Sequence, residues 1–117
     1  MIVAGLAFIG GPLLAADASM PPGQRVFEHF CAACHGVGGD GQGVVSPTFK
    51  VPPPSLEWLA MSNGGTFPRE RVRDIIVGRI SLVPHGRRQM PVWGTELPAE
   101  SRDMQLLLDY LSSVQRR

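Results

Sequence analysis

The two cysteines of the chain, Cys31 and Cys34, lie three positions apart, and His35 follows directly. On a helical turn, residues i and i+3 point in the same direction, so both sulfur atoms can reach one edge of a planar ligand. The imidazole at i+4 then lies beneath the centre of that ligand, where a neutral ring nitrogen can bind a metal ion. This C-x-x-C-H spacing is the attachment pattern of a covalent haem c, with His35 as one iron ligand.

Other chemistries of paired cysteines explain fewer of these residues. A thioredoxin-like redox pair requires alternating strands and helices, and the sequence shows no such alternation. A structural zinc site requires four ligands, and the chain has no second cysteine pair. A disulfide is compatible with an exported protein but leaves His35 without a role. One haem c, bound through Cys31 and Cys34, accounts for all three residues.

The rest of the composition describes a small, loop-rich domain. A length of 117 residues predicts a single domain, and 14 glycines and 11 prolines predict many turns. Charged residues make up 18% and hydrophobic residues 44%, which argues against a disordered chain. With 11 basic and 10 acidic side chains, the net charge of +1 provides no basic field for nucleic acid. We expect a cofactor to supply part of the core.

The N-terminal residues 1–16 carry no charged side chain. As a helix they would span about 24 Å, less than the roughly 30 Å hydrocarbon core of a bilayer. Ala16, Asp17 and Ala18 have the A-x-A form of a signal-peptide cleavage site, although no Lys or Arg precedes the apolar stretch. We predict an export signal in residues 1–18 and a periplasmic domain in residues 19–117. An uncleaved membrane anchor and a buried N-terminal helix are the alternatives.

Apolar residues at helical spacing predict an all-α domain, and no alternating strand pattern competes with them. The predicted helices cover residues 22–33, 56–60 after a Ser55 N-cap, about 66–78, and a C-terminal stretch that begins at Pro98. The last of these has the clearest apolar face. That face consists of Met104, Leu107, Leu108, Leu111 and Val114. Trp58 is predicted to lie in the core and His29 on a solvated helix face.

Three features beyond the cysteine motif carry a resemblance to a known family. Gly23 and Phe27 precede the motif at a four-residue spacing, Met90 begins a Met-Pro-Val-Trp-Gly stretch, and an amphipathic helix ends the chain. Over roughly residues 21–115 the sequence resembles the class I cytochromes c, particularly the small bacterial periplasmic monohaem proteins. The resemblance implies the cytochrome c fold, in which four to five helices and long loops wrap one covalent haem. It also implies a close crossing of the terminal helices at Gly23, near Phe27 and Tyr110.

The second axial ligand is predicted to be Met90. Pro91 biases Met90 toward an extended backbone, which lets its side chain leave the loop toward a buried partner. The family resemblance indicates the same residue, and a thioether ligand favours reduced iron and raises the potential. His85 is the alternative, and it would give a bis-histidine iron of lower potential. Otherwise we expect His85 at the surface or bonded to a haem propionate.

Four further residues are predicted to contact the cofactor. By resemblance, the Pro47 carbonyl, 12 residues after His35, accepts a hydrogen bond from the imidazole, with residues 52–54 as the alternative source of that carbonyl. Such a bond fixes the orientation and basicity of the ligand. Phe49 is expected against the porphyrin, together with Trp93 of the Met90 stretch. Arg79 is a candidate partner for a haem propionate, as are His85 and Arg87.

These residues predict an electron carrier rather than an enzyme, because two axial protein ligands leave no open iron site for a substrate. The expected partners are redox proteins: a dehydrogenase, cytochrome bc1 or a terminal oxidase, with Arg87 and Arg88 as a candidate docking face. We expect a monomer that contacts the membrane only if the N-terminal segment is retained. One alternative is a dedicated haem c subunit of a dehydrogenase or oxidase. A gas-binding or peroxidatic cytochrome, with an open or bis-histidine iron, is the other.

Overall fold

The computed structural model describes residues 10–11, 19–81 and 90–117. Within them lie four α-helices and three short 3-10 turns, and no strand. The helices are α1 (Pro22–Phe30), α2 (Ala32–His35), α3 (Arg69–Ile76) and α4 (Arg102–Ser113), and the 3-10 turns are Ser46–Thr48, Leu56–Trp58 and Met61–Asn63. The predicted all-α class is confirmed.

Two sets of predictions fall outside the described residues. Of the predicted export signal in residues 1–18, the structure describes Gly10 and Gly11 alone. His85, Arg87 and Arg88, the alternative ligand and the candidate docking residues, also lie in a segment that the structure does not describe. None of the helices described is long and apolar enough to span a bilayer.

The terminal helices α1 and α4 form the centre of the core. Phe27 of α1 is fully buried. Met104, Leu107 and Leu108 of α4 are each no more than 1% exposed. The Phe27 ring lies 5.4 Å from the ring of Tyr110. A Cβ at Gly23 would overlap the Leu106 carbonyl, so the two backbones cross in contact there. The apolar face predicted from the i, i+3, i+4, i+7 spacing is therefore the buried face.

The first predicted helix is interrupted at Cys31. Its backbone, at φ −122° and ψ −36°, ends α1 and begins α2. The Cys31 N–H still donates to the Phe27 carbonyl at 2.8 Å, so the interruption turns the chain without unpairing this group. The attachment motif consequently occupies a short turn of its own that can be oriented separately from α1.

The segment after Ser55 forms a 3-10 turn instead of the predicted helix. The predicted N-cap is present, since the Ser55 hydroxyl accepts a hydrogen bond from the Glu57 N–H at 3.3 Å. The prediction that Trp58 lies in the core is wrong: 42% of this residue is exposed. Its ring instead lies 5.6 Å from the Arg116 guanidinium carbon, a cation–π contact at the surface.

Helix α3 connects α4 to the Met90 stretch. Arg69 of α3 donates to the Asp109 carboxylate at 2.6 Å and to the Gln105 side chain at 2.9 Å. At its other end, the Ile76 carbonyl accepts a hydrogen bond from the Trp93 N–H at 2.9 Å. The chain after residue 90 is thereby fixed to the helical core by a backbone bond.

Helix α4 begins at Arg102, later than the predicted start at Pro98, because Ser101 is the N-cap. Its hydroxyl accepts the Met104 N–H at 3.1 Å. Replacing Ser101 with Ala is expected to lower the free energy of unfolding by about 1 kcal/mol, the usual cost of a lost cap. This corresponds to a fall of roughly 4–8 °C in Tm for a domain of this size. Thermal unfolding followed by circular dichroism measures it, and an unchanged Tm would contradict the assigned cap.

Candidate haem-binding site

One turn of the chain brings the two thiols and the imidazole together. The Cys31 carbonyl accepts hydrogen bonds from the N–H of Cys34 at 3.2 Å and of His35 at 2.9 Å. Residues bonded in this i→i+3 and i→i+4 manner have side chains on one face of the turn. Cys31 is buried and Cys34 is half-buried, and both are free thiols. This is the arrangement that two thioether bonds to one planar ring require.

Burial controls the protonation of the first thiol. It raises the pKa of Cys31 from 9.0 to about 12, and the neighbouring Cys34 adds to the shift. Because the thiolate is the nucleophilic form, Cys31 at neutral pH is a weak nucleophile inside the folded domain. The fold therefore positions the Cys31 sulfur atom but does not favour its reactive thiolate form.

The imidazole of His35 has the properties of a metal ligand. Its Nδ1 atom is buried and has no hydrogen-bond partner of normal geometry. Burial lowers the pKa of His35, so the ring is neutral near pH 7, and the Pro54 backbone partly opposes this shift. A neutral imidazole beside two thiols fits a haem iron.

A glycine-rich loop, residues 36–43, folds back onto this turn. Gly41 has a φ of +85° and donates its N–H to the His35 carbonyl at 2.7 Å. A Cβ at Gly43 would overlap the Ala33 carbonyl, so the backbones are in contact there as well. The loop is therefore held against α2, and its glycines provide positive φ and close approach.

The backbone group that faces the imidazole belongs to Pro54. Residues 53–56 pack on the glycine-rich loop: the Leu56 N–H donates to the Gly39 carbonyl at 2.7 Å, and a Cβ at Gly41 would lie 2.6 Å from the Pro53 oxygen. The Pro54 backbone acts on His35 as a hydrogen-bond acceptor, through a contact looser than a standard hydrogen bond. Pro47 lies in the first 3-10 turn, and both Pro47 and Pro54 are exposed residues. Pro54 belongs to one of the two sources considered from the sequence, and the predicted role of the Pro47 carbonyl stays a prediction.

The Met90 stretch lies beside the attachment turn. Met90 is half-buried and packs against the hydrophobic core. The Trp93 ring meets the Phe30 ring edge-on at 5.3 Å, and Phe30 directly precedes Cys31. The structure therefore brings the predicted axial methionine to the same region as the motif, across nearly sixty residues of sequence.

Two other predicted contacts remain predictions. Phe49 is half-buried at the end of the first 3-10 turn, which itself packs on α2. The Arg79 side chain is 57% exposed and lies 3.1 Å from the Asp74 carboxylate. In the structure described, this guanidinium therefore has a carboxylate partner within the protein.

The comparisons with known proteins address the domain as a whole. No curated protein matches the chain, and no solved structure does. Residues 18–111 match a protein family described as cytochrome C oxidase, cbb3-type, subunit III. This match confirms a c-type cytochrome domain, as the resemblance to class I cytochromes c implied, and a domain of this kind carries electrons on haem c. The matched segment covers well over half of the 117 residues and includes both the cysteine motif and the Met90 stretch, so the chain belongs to the family of cbb3-type cytochrome c oxidase subunit III.

Proposed function

We propose that this chain is a periplasmic single-electron carrier with one haem c attached through Cys31 and Cys34 and held axially by His35 and Met90. The observation that carries the proposal is the neutral, half-buried His35 imidazole on the same turn as two free thiols. The packing of the Met90 stretch beside that turn supports the second ligand.

The residues of this chain that attachment would use are the two thiols of Cys31 and Cys34. Cys31 and Cys34 would hold the group: each S–H would add across one vinyl group of the porphyrin, forming a sulfur–carbon bond, with the hydrogen on the other vinyl carbon and no group leaving. When bound, haem c supplies one-electron exchange between ferrous and ferric iron. The neutral imidazole of His35 and the thioether of Met90 are ligands of the type that such iron takes on its two faces.

The surrounding chain would keep this exchange free of side reactions. The buried side chains of α1 and α4 exclude water from the inner side of the site. With both axial positions held by protein, no coordination site is left for a substrate, so we propose a carrier and not an enzyme. A low-dielectric surrounding and a thioether ligand both favour ferrous iron, which gives a positive potential.

The proposed partners are redox proteins, and family membership favours a terminal oxidase among them. The same match makes a dedicated subunit of an oxidase complex the second candidate. The two candidates differ in how long the chain stays bound to the oxidase. A dedicated subunit copurifies with the oxidase in stoichiometric amount from solubilised membranes, whereas a free carrier is recovered from the periplasmic fraction.

The attachment is tested by removing the thiols. In a host with a cytochrome c maturation system, the wild-type protein is expected to retain haem after denaturation and acid–acetone extraction. The double variant Cys31→Ser/Cys34→Ser is expected to retain at least about tenfold less haem than the wild type, because the chain has no other cysteine. Each single variant keeps one thioether and serves as the matched control. Haem retention by the double variant would contradict covalent attachment.

A further inference from the structure

The side chain of Gln115 joins three backbone groups from two parts of the fold. Its Nε2 donates to the carbonyls of Leu56 at 2.8 Å and Leu111 at 2.9 Å. Its Oε1 accepts the Ala60 N–H at 2.9 Å. One amide thus bonds the end of α4 to both ends of the turn formed by residues 56–60. We refer to these residues as the 56–60 turn.

Arg116 adds a second attachment to the same turn. Its N–H donates to the Glu57 carbonyl at 2.8 Å, and its guanidinium lies 3.2 Å from the Glu57 carboxylate. The Arg116 side chain is 58% exposed, so this ion pair adds little stability. The half-buried amide of Gln115 is the stronger constraint, because it makes three part-buried hydrogen bonds to the backbone.

The bonds of the 56–60 turn restrict the position of Pro54, which precedes it in the chain. Leu56, two residues after Pro54, is held from both sides: its N–H donates to Gly39 at 2.7 Å and its carbonyl accepts from Gln115 at 2.8 Å. The Pro53–Pro54 backbone packs against Gly41, whose own N–H bonds the His35 carbonyl. Hydrogen bonds therefore link Gln115 through Leu56 to the glycine-rich loop, and that loop is bonded in turn to the His35 backbone carbonyl.

We propose that Gln115 is a positioning residue for the haem ligand: by fixing the 56–60 turn, it holds the Pro54 backbone beside the His35 imidazole and so affects the reduction equilibrium of the haem iron. The proposal rests on the proposed function, in which His35 binds iron. Gln115 itself touches neither the imidazole nor the thiols in any hydrogen bond that the structure describes.

The direction in which the reduction equilibrium shifts when Gln115 is lost distinguishes a positioning role from a purely stabilising one. A carbonyl that accepts the imidazole N–H makes the ring a stronger electron donor, which stabilises ferric iron. Loss of Gln115 should move the carbonyl away, weaken the donor and favour reduction. General loosening of the fold would act in the opposite direction, because water entering the site stabilises the more highly charged ferric state.

The experiment compares reduction equilibria of the haem-loaded wild type, Gln115→Ala and Gln115→Lys by spectroelectrochemical titration, well below the unfolding temperature. Gln115→Ala is expected to raise the reduction equilibrium constant about threefold to tenfold, tenfold being about 59 mV for one electron. Gln115→Lys keeps a donor for the Leu56 carbonyl, so its reduction equilibrium constant is expected to stay close to that of the wild type. Proton NMR of the ferric protein should show the His35 ring signals displaced in the Ala variant only.

Asn63→Ala is the matched control, because it removes another side-chain amide bond to the backbone nearby, from Asn63 Nδ2 to the Thr66 carbonyl at 2.8 Å. It should leave the equilibrium unchanged. The proposal is overturned if the reduction equilibrium constant of Gln115→Ala is unchanged or lowered, or if that of Asn63→Ala rises equally. Absence of the far-red methionine–ferric haem band from the wild type would instead overturn His35/Met90 ligation, so the two failures are distinguishable.

Discussion

Replacing Met90 with Leu is expected to abolish the weak far-red absorption band of ferric haem bound by methionine sulfur. The substitution nearly conserves volume, so packing of this half-buried side chain against the core should change little. The iron loses a ligand that favours the ferrous state. We therefore expect the potential to fall by on the order of 0.1 V, a fraction of the roughly 0.8 V range that axial ligands span. Absorption spectroscopy and redox titration measure the two effects.

The chain offers a direct control for this experiment. Met61 is 53% exposed and lies in the 3-10 turn Met61–Asn63, so Met61→Leu should keep the band and the potential. Carbon monoxide should bind the reduced Met90→Leu protein far more readily than the wild type, because one axial position is then open. A far-red band that persists in Met90→Leu would contradict Met90 as the ligand.

Gly23→Ala should produce the largest loss of stability among the changes considered. In an exposed helix interior this substitution stabilises a protein by up to about 1 kcal/mol. At Gly23 the new methyl group would overlap the Leu106 carbonyl and lie 2.8 Å from the Tyr110 Cβ, so α1 and α4 must move apart. We expect a loss of about 2–4 kcal/mol, near the upper end for overpacked cores. Denaturant unfolding of the haem-loaded protein measures this loss.

Gly38→Ala is the control for this change, because nothing lies within 4 Å of a Cβ at that position. It should alter stability by no more than about 0.5 kcal/mol, as surface substitutions do. If both variants unfold at the same denaturant concentration as the wild type, the close crossing of α1 and α4 is contradicted.

The sequence was sufficient to predict features that depend on local spacing. The apolar face of α4 repeats at helical intervals, and the structure buries Met104, Leu107, Leu108 and Leu111 as that pattern predicts. The attachment motif is equally local, because Cys31, Cys34 and His35 occupy one turn. Periodicity and short-range spacing are properties that a single sequence displays directly.

The features that could not be predicted depend on partners far along the chain. Trp58 has the apolar character of a core residue, but Arg116, from the C-terminal end, meets its ring at the surface. The position of Pro54 depends on residues 53–56 packing on the glycine-rich loop, where the Leu56 N–H bonds the Gly39 carbonyl. No local signal at the prolines reports these contacts. The break at Cys31 is likewise invisible in a run of residues that are all compatible with a helix.

The contact between α1 and α4 also has a consequence for folding kinetics. These helices enclose about seventy residues, and closing a loop of that length costs roughly 4 kcal/mol of chain entropy, from (3/2)RT ln n. A domain whose central contact is this distant in sequence should fold more slowly than a helical bundle with short connections. Once the pair has formed, the enclosed turns can open individually without separating it. Amide hydrogens of the Pro54 region should then exchange with solvent through local opening, at free energies below that of global unfolding.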